Sequence, residues 1–296
     1  MQTKGEIKRL LESAGIRPNK QLGQHFLIDL NLMEVLVNCA AVEKDDVVLE
    51  VGCGTGSLTQ ALSQVAGWVI AVEADEGLWR IAESEAGGAA NVEIFCGDIL
   101  AGKSAINSAV LSAIERAREK LGGRFLLVSN LPYNAATPVM LNLVKAAKVD
   151  GMCVTVQKEV AQRMAAKEGS KDYGILSIML AVTGDAKIER KLPPSVFWPA
   201  PAVESAMVSW VRSDEKISHI IKMDLFRETV NLFMSHRRKM LKGCVKLAVG
   251  RMKKLDNWDE IFQQCSVNPQ SRPDQLSPDN YINIANLCCE QLKNRP

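Results

Sequence analysis

The amino-acid sequence predicts an α/β fold, in which a mostly parallel sheet carries helices on both faces, followed by a small all-helical C-terminal domain. Strand-like and helix-like segments alternate through the first half of the chain, as in successive βαβ units. From about residue 213 onward apolar residues recur at helical spacing, and no strand-like segment is evident. We therefore predict two domains, residues 1–213 and 214–296.

The strand-like segments of the first domain are short and rich in β-branched residues. We predict strands at residues 47–51, 68–72, 91–95, 125–129, 152–156 and 205–211. Helices are predicted at residues 58–65, at about 158–166, and within the polar stretch 102–123, which we interpret as a crossover helix. Parallel strands need such crossovers, so the alternation favours a single parallel sheet.

The composition excludes several classes of protein. Of the 296 residues, 47% are hydrophobic and 24% are charged, unlike a disordered, collagen-like or disulfide-scaffold protein. The eight cysteines form no C-x-x-C pair, so we expect no metal site, and adjacent Cys288 and Cys289 indicate a reducing compartment. No apolar segment approaches the roughly 20 residues of a membrane span, and no secretory signal is evident. We therefore expect a cytoplasmic protein.

The net charge of +2 conceals an uneven distribution. Residues 220–254 hold ten basic and two acidic side chains, and residues 1–20 hold five basic ones, including Lys20, and two acidic ones. The rest of the chain is therefore acidic overall. Basic segments of this kind are typical either of a solvated helix face or of a surface that binds a polyanion.

A glycine-rich loop lies between the first predicted strand and the helix that follows it. The loop reads Glu50-Val51-Gly52-Cys53-Gly54-Thr55-Gly56. Glycines there let the backbone turn sharply and approach a ligand closely. A dinucleotide site has the spacing G-x-G-x-x-G, whereas this loop has G-x-G-x-G with Ser57 at the last position of that pattern. This spacing favours S-adenosylmethionine, which has no phosphates to bind.

Two acidic residues end the next two predicted strands. Glu73 comes about 20 residues after the loop, where a carboxylate can accept hydrogen bonds from both ribose hydroxyls of a cofactor. Asp98 ends the third strand and can accept a hydrogen bond from an adenine amino group. Either residue alone could instead cap a helix or a turn. Because all these strand ends meet at one edge of the sheet, we predict a shared cofactor site.

The fourth predicted strand is followed by Asn130-Leu131-Pro132-Tyr133, which suits the methylation of a planar amino group. An exocyclic amine conjugated to a ring is a poor nucleophile. The Asn130 side-chain oxygen and the Leu131 carbonyl can accept both of its N–H bonds and direct its lone pair toward a methyl group, while Tyr133 stacks on the base. The main contribution is positioning. An ordinary proline turn is the alternative interpretation.

With these motifs in place, the chain resembles the KsgA family of small-subunit rRNA adenine dimethyltransferases along nearly its whole length. Nine motifs in the family's order carry the resemblance: Gln24-His25-Phe26-Leu27, the 50–56 loop, Glu73, Gly97-Asp98, Asn130-Leu131-Pro132-Tyr133-Asn134, Gln157-Lys158-Glu159-Val160, Tyr173-Gly174-Ile175-Leu176-Ser177, the 197–201 loop and Arg237-Arg238-Lys239. The chain departs from the family pattern at His25, where the family has Asn, and after the 197–201 loop, where Ala202 and Glu204 stand in place of the family's frequent Lys and Asp.

The resemblance implies a Rossmann-like class I methyltransferase domain with an N-terminal arm and an rRNA-binding helical domain. It implies transfer of methyl groups from S-adenosylmethionine to the N6 atoms of two adjacent adenosines near the 3′ end of small-subunit rRNA. Each adenosine receives two methyl groups, and the substrate is a late ribosome-assembly intermediate. A monomer suits this task.

The resemblance also implies roles for individual residues. Cofactor contacts fall on His25, Leu27, Gly52, Gly54, Glu73, Asp98 and Asn130. The catalytic set is Asn130, Leu131, Pro132, Tyr133 and Phe197, with the flipped-out adenine held by Asn130 and Tyr133 and stacked on Phe197. RNA contacts fall on Arg237, Arg238, Lys239, Lys242 and Lys246.

The spacing of three of these basic residues makes a structural prediction. Arg238, Lys242 and Lys246 follow one another at i, i+4 and i+8, which predicts that they lie on one face of a single helix. A row of cations on such a face can follow a phosphate backbone without reading its sequence.

Other functions stay open from the sequence. The same chemistry could act on large-subunit rRNA, as in the Erm resistance enzymes, on DNA adenine or on a protein glutamine. The chain could also be a ribosome-assembly or transcription factor that kept the fold, although the intact Glu73, Asp98 and 130–133 motif argue against loss of catalysis. The loop spacing disfavours a nicotinamide oxidoreductase.

Overall fold

The computed structural model describes residues 1–19, 23–102, 105–146 and 149–293, and the chain forms two compact units. The first comprises Met1–Ala161 and Lys187–Arg212, and the second comprises Gln162–Ala186 and Ser213–Pro296. Residues 162–186, which the sequence places in the first domain, thus group with the second unit. Lys20 and residues 103–104 of the predicted 102–123 stretch lie outside the described residues.

The described strands are numbered along the chain. They are β1 Phe26–Leu27, β2 Val47–Val51, β3 Trp68–Glu73, β4 Val92–Cys96, β5 Phe125–Asn130, β6 Gly151–Gln157, β7 Gly184–Leu192, β8 Phe197–Trp198 and β9 Ser205–Arg212. All six predicted strands are present, with ends that differ from the prediction by no more than one residue.

The described helices are numbered in the same way. They are α1 Lys4–Ser13, α2 Leu30–Cys39, α3 Ser57–Val65, α4 Glu76–Ala86, α5 Ser108–Leu121, α6 Ala136–Ala146, α7 Lys158–Met164, α8 Ile175–Thr183, α9 Asp214–Ser218, α10 Met223–Met234, α11 Leu241–Cys244, α12 Trp258–Gln264 and α13 Pro278–Lys293. Within the described residues, no helix combines the length and the apolar character that a bilayer span requires.

Seven strands form the main sheet of the described chain, in the order β4-β3-β2-β5-β6-β9-β7. The five neighbouring strands β4, β3, β2, β5 and β6 are parallel to one another, and β9 runs antiparallel to β6. The central strand β2 is buried along its whole length, which explains why it reads as an unbroken apolar run apart from one glutamate. The predicted α/β fold class, with a mostly parallel sheet, is confirmed.

The edge strand β7 is absent from the sequence prediction. Five of its nine residues are charged, and most of its side chains are exposed, so it lacks the apolar pattern of a buried strand. Charges on an edge strand prevent the unpaired edge from pairing with another chain. This protective composition is the reason that periodicity does not reveal the strand.

The order of the sheet reverses at β2, from which the chain goes first to β3 and later to β5. Beyond Leu49 and Leu127 the direct pairing of β2 with β5 stops, and the Ser129 hydroxyl takes its place. Its O–H donates to the Val51 carbonyl at 2.6 Å, and its oxygen accepts from the Val51 N–H at 3.3 Å. The two strands therefore part at their carboxyl ends, where α/β sheets bind ligands.

The second unit is built around Phe233 of α10. The Phe233 ring centroid lies 6.0 Å from that of Trp258, 6.3 Å from that of Phe262 and 6.2 Å from that of Tyr281. Residues 162–186 join this unit through α8 and through buried Tyr173, whose hydroxyl donates to the Leu276 carbonyl at 3.0 Å. The elements described between residues 213 and 293 are all helical, as the change of period predicts.

The prediction that Arg238, Lys242 and Lys246 share one face of a single helix is wrong. Helix α10 ends at Met234, and Arg238 lies in the turn that follows. Lys242 lies in the four-residue helix α11, and Lys246 lies in a 3₁₀ turn, Val245–Leu247.

Tertiary hydrogen bonds explain why no continuous helix forms there. The Leu241 N–H donates to the Ser271 carbonyl at 2.9 Å, and the Lys242 N–H donates to the Pro269 carbonyl at 3.0 Å. In a continuous helix both N–H groups would donate to carbonyls four residues earlier. The side-chain spacing alone does not contain this information.

An ion pair ties β2 to β5 at the amino edge of the sheet. The Asp46 carboxylate, 1% exposed, accepts from Arg124 Nη2 at 2.6 Å and from Arg124 Nε at 3.0 Å. Asp46 also accepts from the Glu43 N–H at 2.8 Å. This bidentate geometry holds the two central strands together at the end opposite the crevice.

Replacing Asp46 by Ala should lower the free energy of unfolding by about 3 kcal/mol, because Arg124 and the Glu43 N–H lose their buried partner. Denaturant titration followed by circular dichroism measures the change. As the control, Glu76→Ala removes an exposed pair with Arg80 and should cost less than about 0.5 kcal/mol. Equal effects of the two substitutions would contradict the role assigned to Asp46.

Candidate cofactor and catalytic site

A cavity of about 340 Å³ opens at the carboxyl edge of the sheet, where β2 and β5 part. The glycine loop, the ends of β3 and β4, the 130–135 segment and the region around β1 line it. Among the described residues in this lining, three carry carboxylates, Glu50, Glu73 and Asp98, and none is Lys or Arg. The described lining therefore offers hydrogen-bond acceptors and no cationic side chain, which disfavours a dinucleotide, whose pyrophosphate is anionic.

The glycines at positions 52, 54 and 56 adopt φ angles of +77°, +60° and +78°, which L side chains rarely adopt. Two of them are also in close contact with other parts of the site. A Cβ on Gly52 would lie 2.7 Å from Pro132 Cγ, and a Cβ on Gly54 would lie 2.9 Å from Phe26 Cε1. The loop thus packs directly against the 130–133 segment and against β1.

The Glu73 carboxylate lies at the end of β3, 6% exposed. It accepts from the Gly54 N–H at 2.8 Å and from the Asp75 N–H at 3.0 Å. Burial raises the pKa of Glu73, and these hydrogen bonds oppose that rise. The group is thus held in place at the edge of the cavity, where its oxygens face the space open to a ligand.

Asp98 and Gly97 form the opposite side of the cavity, after β4. Asp98 is exposed, and its Oδ1 accepts from the Leu100 N–H at 2.8 Å, which fixes the carboxylate by a local turn. Gly97 has a φ of +135°, with no atom within 4 Å of the position of a Cβ. This part of the site has open space beside a fixed acceptor.

Glu50 is a lining residue whose burial the sequence alone does not predict. Its side chain is 2% exposed, and its Oε2 accepts from the Thr59 hydroxyl at 2.6 Å. Burial raises the pKa of Glu50 to about 8. The signal in the sequence is an acidic residue inside an apolar strand, directly before the glycine loop.

The Asn130 amide is fixed from both sides. Its Nδ2 donates to the His25 carbonyl at 2.7 Å, and its Oδ1 accepts a short hydrogen bond from the Thr155 hydroxyl. A carbonyl can only accept, so the amide orientation is determined. The second lone pair of Oδ1 stays available. Thr155, fully buried in β6, was not predicted as a site residue; its signal is a threonine within an apolar strand.

The Tyr133 ring is also held at two points. Its hydroxyl lies 2.6 Å from Ser205 Oγ, and its ring centroid lies 5.3 Å from that of His25. Burial raises the pKa of the Tyr133 hydroxyl. Pro132 contacts the glycine loop, as described, and buried Leu131 donates its N–H to the Thr155 carbonyl at 3.1 Å. The four residues of the predicted motif thus lie together at the cavity.

The two aromatic residues of β8 have different surroundings. Phe197 pairs with Leu27 of β1 and is 2% exposed, within the apolar cluster that includes Met207. As folded, its ring is core, and stacking on a base would require it to leave this cluster. Trp198 is half-buried and stacks on Phe26 at 6.2 Å, which anchors the loop. The stacking role of Phe197 stays a prediction.

The predicted RNA-binding residues lie in the second unit. Arg238, Lys239, Lys242 and Lys246 are exposed, and no carboxylate of the described residues lies within 4.0 Å of them. Arg237 differs, because Nη1 donates to the Lys171 carbonyl at 2.9 Å and Nη2 to the Ser170 carbonyl at 3.0 Å. Its Nε also donates to Asp274 at 3.2 Å. Arg237 therefore ties together parts of its own unit.

No group of three or more His, Cys, Asp or Glu side chains that could hold a metal occurs among residues 1–19, 23–102, 105–146 and 149–293. All eight cysteines are free thiols. The fitting ligand for the cavity is instead S-adenosylmethionine, whose sulfonium and ammonium groups are cationic and whose ribose and adenine carry hydrogen-bond donors. The fold and this set of acceptors define a class I methyltransferase.

Comparison with known proteins agrees with this class and narrows it. The model of the family described as "Ribosomal RNA adenine dimethylase" matches residues 15–289. A ribosomal RNA small subunit methyltransferase A of Caldanaerobacter subterraneus is 34% identical and covers 92% of this chain and 97% of its own length. One of Magnetococcus marinus is 37% identical, with coverages of 95% and 96%. The chain therefore belongs to the ribosomal RNA adenine dimethylase family, whose members use S-adenosylmethionine.

Two solved structures share the fold. The dimethyladenosine transferase of Plasmodium falciparum superposes with a TM-score of 0.69 at 20% identity, covering 88% of this chain and 96% of its own. The 23S rRNA methyltransferase ErmE gives a TM-score of 0.60 at 18% identity, with coverages of 88% and 98%. A dimethyladenosine transferase and a 23S rRNA methyltransferase thus share this architecture, so the fold alone does not identify the RNA target.

The buried Glu50 makes a pH-dependent prediction. Between the ordinary glutamate pKa of 4.5 and the folded value of about 8, the folded state binds more protons than the unfolded state. The free energy of unfolding should therefore fall as pH rises through this range. Glu50→Gln keeps an acceptor for Thr59 and cannot ionise. The free energy of unfolding of this variant, relative to that of the wild type, should therefore rise from pH 5 to pH 8, by on the order of a few kcal/mol.

Denaturant titrations at pH 5, 6, 7 and 8 measure this difference. Glu76→Gln, at an exposed site, serves as the matched control and should show a difference that does not change with pH. If the Glu50→Gln variant behaves like this control, then Glu50 ionises in the folded state as it does in water.

Proposed function

We propose that this protein transfers methyl groups from S-adenosylmethionine to N6 of two adjacent adenosines near the 3′ end of small-subunit rRNA, two on each, during ribosome assembly. One observation carries the proposal: a cavity that holds three carboxylates and no Lys or Arg among its described residues adjoins a fixed Asn130-Leu131-Pro132-Tyr133 segment. The small-subunit target is supported by relatives of that name that align over more than nine tenths of the chain.

The cofactor would be held by residues from four segments of the first unit. Gly52 and Gly54 allow close approach, Glu73 accepts from the ribose, and Asp98 accepts from the adenine. His25, which directly precedes β1, and Leu27, which lies in it, line the part of the cavity next to Asn130. When bound, S-adenosylmethionine supplies an electrophilic methyl group. The carboxylates of the lining favour its positive charge over the neutral product.

The 130–133 segment orients the adenine amine. Asn130 Oδ1 accepts one N–H of the amine with the lone pair that Thr155 leaves free, and the Leu131 carbonyl accepts the other. This arrangement would direct the lone pair of the amine nitrogen toward the methyl group. The new C–N bond would replace the methyl–sulfur bond, and the nitrogen, made acidic by the transfer, would lose a proton to solvent. Because the Asn130 amide cannot rotate without losing two hydrogen bonds, the acceptor is positioned before the substrate arrives.

The target base must leave its stack to enter this site. Tyr133, held at its hydroxyl by Ser205, provides one ring against which the base can stack. Phe197 provides the other face if its ring leaves the cluster it occupies. Pro132 sets the distance between this segment and the glycine loop.

The exposed cations Arg238, Lys239, Lys242 and Lys246 bind RNA phosphates, and the basic N-terminal arm adds to this electrostatic attraction. RNA is then recognised mainly by shape and by the positions of its phosphates. The partner is an assembly intermediate of the small subunit. The protein works as a monomer in the cytoplasm, without a metal.

The test is transfer of label from S-adenosylmethionine to undermethylated small subunits, followed by mapping of the label in the RNA. Label should appear on N6 of two adjacent adenosines near the 3′ end. In the same assay, Asn130→Ala should lower the turnover number at least about 100-fold, because the amine loses its fixed acceptor. Asn142→Ala, which also removes a buried amide hydrogen bond, is the matched control and should stay active.

Circular dichroism shows whether each variant folds. Label on the large subunit, or no label at all from the wild type, would reject the proposed substrate. Full activity of a folded Asn130→Ala variant would reject the role proposed for Asn130 and leave the substrate in place.

The contacts of the basic residues predict which of them bind RNA and which stabilise the fold. The double variant Arg238→Ala with Lys242→Ala should bind the small subunit more weakly. The slope of the logarithm of the binding constant against the logarithm of salt concentration should fall in magnitude by about 1 to 2, as expected for two lost phosphate contacts. Arg237→Ala should mainly lower the free energy of unfolding, by about 2 kcal/mol, because two carbonyls lose a charged donor. A salt dependence that none of these substitutions changes would exclude this segment from the RNA interface.

A further inference from the structure

We infer that His25 is a positioning residue for methyl transfer, because it fixes Asn130, Tyr133 and the segment after β8 in one arrangement. The inference rests on the proposed function and concerns how the site for that reaction is assembled. It concerns the one residue of the Gln24-His25-Phe26-Leu27 motif that departs from the KsgA family, which has Asn there.

The first link is made by the main chain. The His25 carbonyl accepts from Asn130 Nδ2 at 2.7 Å, which determines the orientation of the amide. Phe26 and Leu27, the next two residues, pair with Trp198 and Phe197 in the antiparallel ladder of β1 and β8. The position of this carbonyl therefore depends on how the N-terminal segment is held against the 197–199 segment.

The second link is made by the His25 side chain, and it strengthens that attachment. His25 Nδ1 lies 2.7 Å from the Pro199 carbonyl, directly after the two ladder pairs. Because a carbonyl can only accept, Nδ1 must carry the hydrogen. A neutral ring is therefore the Nδ1–H tautomer, which leaves Nε2 as an acceptor.

The third link is a ring contact. The imidazole lies 5.3 Å from the Tyr133 ring, with the two planes 31° apart, while the Tyr133 hydroxyl is held by Ser205. An aromatic neighbour on one side and a hydrogen bond at the tip together restrict the tilt of the tyrosine ring. The same side chain that holds Pro199 thus also sets the surface on which a base would stack.

The chemistry of this contact explains how His can replace the family's Asn. Both side chains present an N–H donor two bonds from Cβ, so Asn can also donate to the Pro199 carbonyl. Gln places its amide one bond further out and mimics Nε2 instead. Asn restores the link to Pro199 but not the aromatic contact with Tyr133, and Ala restores neither.

Nuclear magnetic resonance tests the geometry without reference to activity. Long-range proton–nitrogen spectra distinguish a protonated ring nitrogen from an unprotonated one, and the chain has only three histidines, so the His25 signals are assigned by their loss in His25→Asn. We expect Nδ1 protonated and Nε2 unprotonated in the neutral ring. The opposite tautomer would overturn the inference.

Kinetics with the full chain and undermethylated small subunits test the consequence. His25→Ala and His25→Gln should each lower the turnover number about five- to tenfold, the effect expected for one lost hydrogen bond, and His25→Asn should recover most of that loss. Because His25 also lines the cofactor cavity, the turnover numbers are measured at saturating S-adenosylmethionine. The difference in turnover between His25→Asn and His25→Gln should then exceed any difference between them in the dissociation constant for S-adenosylhomocysteine.

Equal losses in the Asn and Gln variants, or losses that match a weaker cofactor affinity, would overturn the inference. A wild-type protein that methylates no small-subunit adenosine would instead reject the proposed function, so the two failures are distinguishable. If circular dichroism shows that His25→Ala or His25→Gln is unfolded, the double variant His25→Asn with Tyr133→Phe is compared with Tyr133→Phe alone. The two should have similar turnover numbers, because the Asn donor restores the link to Pro199, and a large further loss in the double variant would overturn the inference.

Discussion

The site depends on the close approach of the glycine loop to two other segments. With no side chain at Gly52 and Gly54, the loop can pack against Pro132 on one side and Phe26 on the other, at distances that any Cβ would violate. The glycine loop, the 130–133 segment and the N-terminal strand are therefore held by one contact surface. In the proposed reaction, movement of any one of them would change the distance between methyl donor and acceptor.

Electrostatics acts on the same cavity. Glu50 and Glu73 are buried where burial raises the pKa of both, and Asp98 stands at the exposed side. Burial keeps Glu50 mostly protonated at neutral pH, so the negative charge of the described lining comes from the remaining carboxylates, with no Lys or Arg to neutralise it. In the proposed reaction this lining would favour the positive charge of the cofactor, which is lost on methyl transfer, and would so distinguish donor from product.

The sequence was sufficient where the physical cause is local. The buried strands read as apolar runs, the loop glycines and the residues Glu73, Asp98 and Asn130 fall at strand ends, and parallel topology brings strand ends to one edge. It failed where the cause is distant in the chain. The charged strand β7 is defined by its place at the sheet edge, and the break between Arg238 and Lys242 follows from hydrogen bonds to residues 269 and 271.

The amino-acid sequence by itself thus determined the fold class, the cofactor class and the residues at the strand ends, because each rests on periodicity, spacing or residue chemistry. Only the tertiary structure decided how those residues are held. It buried Phe197 in a core cluster, engaged Arg237 with carbonyls of its own unit, and joined His25 to both Asn130 and Pro199. Such contacts join residues as many as 174 positions apart, and no local pattern specifies them.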